Sequence, residues 1–165
     1  MVPRAAWRQI CEERTKRMYL ISSCLLGANC KYNGGNNFCQ EVADFRAAHS
    51  CCGVCPEAAS GLPVPRPPAE RIGDRIIDKE GKDVTADFEN GSTISLLAAL
   101  QEAQRRGEEI EGAVLKANSP SCGSGKIYDG NFDGTLVDGW GCFAAKLRDR
   151  GIKVISEKEI KDGKF

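Results

Sequence analysis

The chain has 165 residues, enough for one domain of ordinary size with a real core. Its 23 Lys and Arg balance 23 Asp and Glu, so the formal net charge is zero. That balance removes the electrostatic case for a nucleic-acid polymer or an anionic membrane, no run approaches the roughly 20 apolar residues of a membrane span, and small-molecule chemistry is the better default.

Residues 1–17 read as an appended extension in which Trp7, Ile10 and Cys11 share one face of a short helix; Met18 can serve as an alternative start. From 18 to 165 the pattern is that of a single α/β domain. Met18-Tyr19-Leu20-Ile21 predicts a strand. Gly27 to Asn37, rich in Gly and Asn, is loop. Phe38, Val42 and Phe45 recur at helical spacing up to Ala48. Cys51 to Cys55 is a short buried strand. Four prolines between Gly61 and Pro68 exclude a helix or a central strand there. Arg75 to Asp78 is strand-like, followed by a turn at Glu80-Gly81. Ser92 or Thr93 is expected to cap a helix that runs through Leu96, Leu97, Leu100 and Ala103 to Gly107. Ile110 to Lys116 is a strand. A long loop follows, with turns at Asp129-Gly130 and Asp133-Gly134. Trp140 to Arg150 is a helix ended by Gly151, and Ile152 to Ile155 is the last strand.

Strands and helices that alternate in this way predict a small three-layer, Rossmann-like α/β fold with a mostly parallel sheet and a proline-rich insertion. In an open parallel sheet, ligands bind outside the carboxyl ends of the strands. Cys24, Cys55 and Cys122 each follow a strand end, so all three can meet at one edge. Three thiolates select zinc, copper or an iron–sulfur cluster, and leave a position open where a structural zinc site closes with four.

Nine cysteines in a chain with no apolar signal core point to a reducing, cytoplasmic setting and to metal or catalytic use rather than disulfides. Cys52-Gly53-Val54-Cys55 is a C-x-x-C without a second copy. A zinc site of Cys30, Cys39, Cys52 and Cys55 is therefore the competing pattern. Cys142, on the inner face of its helix, reads as a small core residue. His49, the one histidine, is given no role.

The motifs C-L-L-G at 24–27, K-Y-N-G-G at 31–35, C-P-E at 55–57, G-L-P-V-P-R-P-P-A-E at 61–70, S-P-S-C-G at 119–123 and I-Y-D-G at 127–130 resemble the thiouracil desulfurase family. The resemblance runs from Met18 to about Glu159. It implies a [4Fe-4S] cluster bound by Cys24, Cys55 and Cys122, with a fourth iron free to take the sulfur of a small thiolated substrate and polarise its C=S bond toward water. It also implies Glu57 as the group that moves protons and Ser119 as a catalytic hydrogen-bond donor to the heterocycle, with sulfide leaving and no net electron transfer. Cys30, present in some relatives only, is a sulfur relay or a spectator. Residues 1–17, Cys51 and Cys52 have no counterpart. The alternative is an iron–sulfur or zinc protein that handles or senses sulfur without turnover. Monomer and homodimer both remain open.

Overall fold

The apolar run at Met18–Ile21 forms the centre of a sheet, as its composition predicts. The computed structural model describes residues 16–163 and 165, so the face expected for Trp7, Ile10 and Cys11 lies outside the described residues. In chain order the elements are β1 (Lys16–Ser22), a 3₁₀ turn (Ser23–Leu26), α1 (Gln40–Ala48), β2 (Ser50–Val54), α2 (Pro56–Ala59), β3 (Ala69–Ile72) and β4 (Arg75–Asp78). There follow α3 (Thr85–Arg106), β5 (Glu108–Leu115), β6 (Ser124–Tyr128), β7 (Leu136–Trp140), α4 (Cys142–Asp149), β8 (Lys153–Ser156) and α5 (Glu157–Lys161).

Four strands make one parallel sheet in the order β2-β1-β5-β8. A strand paired on both sides and covered on both faces must be apolar throughout, and Met18, Leu20 and Ile21 are fully buried. Successive side chains point to opposite faces. Met18, Leu20, Ala113 and Leu115 therefore pack against Leu96, Ala99 and Ala103 of α3 and Phe143 and Leu147 of α4. Ile21, Val114 and Ile155 face the other way, onto Leu25 and Val42, with Ile160 of α5 beside them. The result is the expected three-layer α/β arrangement.

Several elements differ from expectation. The helix expected to be capped at Ser92 or Thr93 begins two turns earlier, at Thr85. Asp83 accepts hydrogen bonds from the Thr85 amide at 2.9 Å and hydroxyl at 2.6 Å, which starts the helix there. Ser92 is instead fully buried inside it, 3.0 Å from the Cys142 sulfur. Trp140 belongs to β7, so α4 starts at Cys142. The long loop after Cys122 contains a hairpin, β6 paired with β7, with both predicted turns at its tip. Residues 69–72, where the sequence predicts no element, pair antiparallel with the strand expected at 75–78. The segment 61–68 is irregular, as its prolines require. Among the described residues no helix is long and apolar enough to cross a membrane.

Gly91 explains how α3 fixes the mouth of the sheet. A Cβ at this position would stand 1.9 Å from the Pro56 carbonyl oxygen, so α3 and α2 touch through backbone. Gly91→Ala must push α2 away. Overpacking of this kind typically costs about 1–3 kcal/mol, and a fall in the urea midpoint at unchanged m-value should report it.

A candidate active site lined by thiols

Three strand ends supply three cysteines. Ser22 closes β1, and its hydroxyl accepts a hydrogen bond from the Lys116 amide at 2.9 Å, which ties the end of β1 to the end of β5. Cys24 follows in the 3₁₀ turn, where its carbonyl accepts from the Asn37 amide at 2.9 Å. Cys55 is the N-cap of α2, with Pro56 in the first turn, where its missing N–H costs nothing.

Cys122 sits in a loop bolted down from two sides. The Ser119 hydroxyl accepts from the amides of Ser121 at 3.2 Å and Cys122 at 2.9 Å. The first amides of α4 donate outward: Cys142 to the Pro120 carbonyl at 3.0 Å and Phe143 to that of Ser121 at 2.9 Å. Cys24, Cys55 and Cys122, together with Cys30, line one cavity of about 510 Å³ at the carboxyl end of the sheet.

The thiols differ in charge preference. Cys55 is pulled down to about 7, chiefly because the Cys30 thiol donates a hydrogen bond to its sulfur; the Ala58 amide helps and burial opposes. Cys30 is correspondingly pushed up, since losing its proton would break that bond. Burial pushes up Cys24, with the Asn37 side chain opposing and the nearby Cys55 adding to the rise. Burial also pushes up Cys122, against hydrogen bonds from Ser22 and Ser121. Cys55 is thus the thiol drawn toward ionisation, and the others need a cation to compensate the charge they would carry.

Glu57 lines the same cavity. Its carboxyl is pushed above the usual range by burial, and the Arg66 guanidinium and a hydrogen bond from Ser121 oppose that rise. The distances are 3.9 Å from Arg66 Nη2 to Glu57 Oε1 and 3.4 Å from Ser121 Oγ to Glu57 Oε2. Ser121 Oγ is also 3.0 Å from Ser119 Oγ, so two hydroxyls and the carboxylate form a chain along the wall, with the Arg66 guanidinium behind it. Arg66 is buried. Its Nη2 donates to the Cys30 carbonyl at 2.9 Å, and its Nε has no partner among the described residues.

All five sequence-predicted site residues, Cys24, Cys55, Glu57, Ser119 and Cys122, border this one cavity. Sequence reasoning passed over Ser121, which rather than Ser119 touches Glu57, and Arg66, whose position inside the proline-rich motif was its one visible signal. The competing zinc set does not assemble. Cys39 is buried with its thiol donating to Glu41, the Cys52 thiol lies at 3.8 Å from the Gly53 carbonyl, and neither borders the cavity. Among the described residues no three His, Cys, Asp or Glu side chains gather tightly enough to hold a single metal ion. Thiols spread around a cavity suit a polynuclear group, whose ligands each bind a different atom. His49 stacks on Phe45 at 4.0 Å and takes no part in the cavity. Cys142 is buried in the core, as expected.

The family model that describes 2-thiouracil desulfurase matches residues 19–159. The chain is 37% identical over 155 residues to the uncharacterized protein YbbK of Bacillus subtilis (strain 168), covering 88% of this chain and 99% of that protein. Among solved structures it is similar to the [4Fe-4S]-dependent thiouracil desulfidase TudS, with a TM-score of 0.76 and 40% identity over 89% of this chain and 95% of that one.

Proposed function

The chain belongs to the 2-thiouracil desulfurase family, and from that premise we propose that it is a desulfidase that removes sulfur from a small thiolated compound such as a thio-nucleobase. The observation that carries the reading is the convergence of Cys24, Cys55 and Cys122, from three separate strand ends, on one cavity that also holds a half-buried carboxyl group, Glu57. The donor set is soft, and it fits a [4Fe-4S] cluster bound through these three thiolates. Such a cluster supplies an iron without a protein ligand, a soft Lewis acid suited to thiocarbonyl sulfur.

The overall change is hydrolytic. C=S and H₂O become C=O and H₂S, so no electrons are gained or lost. Protons must move, and Glu57 is the group placed to move them. Burial pushes its carboxyl above the usual carboxylate range, the direction that suits a group asked to return a proton as well as accept one. Arg66 and Ser121 face its two carboxylate oxygens, which favours the orientation toward the cavity. The Ser119 hydroxyl accepts from two amides and, because Ser121 donates to Glu57, gives its own hydrogen to Ser121 Oγ; a ring oxygen or nitrogen of the substrate takes that hydrogen by displacing the contact. The Cys55 thiolate is the first donor available to iron.

Free thiols lining the cavity suit a reducing compartment, which supports action in the cytoplasm. The test is anaerobic purification, counting of iron and acid-labile sulfide, and incubation with 2-thiouracil. We expect brown protein with about four irons per chain, with uracil and sulfide formed in equal amounts. A colourless protein holding one tightly bound zinc would end this reading.

A further inference from the structure

Part of the wall of the cavity comes from the loop that joins β6 to β7, and one residue holds that loop in place. Glu70, on β3, is 8% exposed. Its Oε2 accepts hydrogen bonds from the Gly130 amide at 2.9 Å and the Phe132 amide at 3.1 Å. Phe132 has φ 55°, a left-handed backbone that a non-glycine residue keeps only when its surroundings impose it. Gly130, at φ 97°, lies so close to the same strand that a Cβ on it would stand 2.4 Å from Ile72 Cγ1. Arg71, between Glu70 and Ile72, donates to the Trp140 carbonyl at the far end of β7. Three successive residues of β3 thus grip one hairpin. Tyr128, Phe132 and Gly134 of the gripped segment border the cavity, and so does Glu70 itself.

We propose that Glu70 is a positioning residue that latches the 129–135 loop over the thiol-lined cavity and so sets the aromatic wall against which the substrate ring binds. The latch is purely an acceptor: two amides share one carboxylate oxygen, and no proton transfer is asked of Glu70. Its effect should fall on substrate affinity and leave the chemical step alone. The geometry of the latch stands independently of the desulfuration reading; the substrate it serves rests on that reading.

The experiment compares the iron-loaded full chain with Glu70→Ala and Glu70→Gln. A carboxamide oxygen can still accept both amides, so Gln preserves the latch and Ala removes it. For Glu70→Ala we expect amide hydrogen exchange in 129–135 to accelerate about 10- to 100-fold and KM for 2-thiouracil to rise by a similar factor, since two half-buried donors lose their acceptor. Iron content should be unchanged and kcat should fall by less than about threefold. Glu70→Gln should return exchange and KM to within about fivefold of the parent. Unchanged exchange in Glu70→Ala would show that the latch does not hold the loop, and would overturn the proposal. Loss of kcat in both variants with KM intact would also overturn it, and would make Glu70 a proton carrier. If the parent releases no sulfide from 2-thiouracil, the functional reading fails, while the exchange comparison still decides the latch.

Discussion

Cys24→Ser, Cys55→Ser and Cys122→Ser will each leave the chain colourless and without iron. A serine hydroxyl is smaller, harder and far less acidic than a thiol, so it does not substitute as a ligand to iron–sulfur iron, and two remaining thiolates hold a cluster poorly. The three positions are not equivalent. Cys55 begins near its thiolate form, pulled down to about 7 by the Cys30 hydrogen bond, whereas burial pushes Cys24 and Cys122 up. For those two, the charge of the bound metal supplies the stabilisation that the protein withholds. Iron loading should accordingly slow steeply as pH falls below 7, since each site must lose a proton before it binds. Cys39→Ser and Cys142→Ser serve as controls. Neither borders the cavity, and at position 142 a serine can keep the hydrogen bond to Ser92. Both should load iron fully. Full iron content, by chemical analysis, in any one of the first three variants would remove that residue from the ligand set, with Cys30 next in line.

Residue spacing made the central sheet legible because its two inner strands, β1 and β5, are buried on both faces over Leu20–Ile21 and Ala113–Leu115 and carry apolar runs there. The same logic placed Cys24, Cys55 and Cys122 at one edge. The hairpins were not legible for the converse reason. Ser124–Tyr128 and Leu136–Trp140 contain glycines and charges, lie partly exposed, and touch the core through Ile127 and Trp140, being otherwise held by each other and by β3. The false start of α3 has a specific cause. Gly91 and Ser92 look like a break followed by a cap, yet the glycine is there for the backbone of α2 and the serine for Cys142. Ser121 and Arg66 were overlooked because their roles exist only in three dimensions. The contact from Ser121 to Glu57 joins residues 64 apart in the chain, and no local pattern encodes such a pair.

Glu57→Gln is expected to keep its iron and its visible spectrum while turnover falls by about 10²–10⁴, the usual worth of a positioned acid–base group. The substitution preserves shape and removes the titratable proton. It also leaves Ser121 a carbonyl oxygen to donate to, so the wall of the cavity should stand. Arg66 loses the charge that faces it, but its bond to the Cys30 carbonyl at 2.9 Å remains and should hold the guanidinium. Binding of 2-thiouracil, followed through the change it causes in the cluster spectrum, should survive within a few-fold, because Glu57 is asked to move protons and not to hold sulfur. The bland alternative is that Glu57 merely starts α2, as an acidic residue in a first turn often does. A carboxylate on the surface could do that work. Glu57 instead sits under a carboxyl-raising burial with a guanidinium and a hydroxyl both directed at it, an expensive arrangement for a cap. Measuring iron and sulfide release on the same sample separates the two. Turnover within a few-fold of the parent at full iron content would take Glu57 out of the mechanism and turn attention to Ser119. Iron and stability lost together would make it a structural residue.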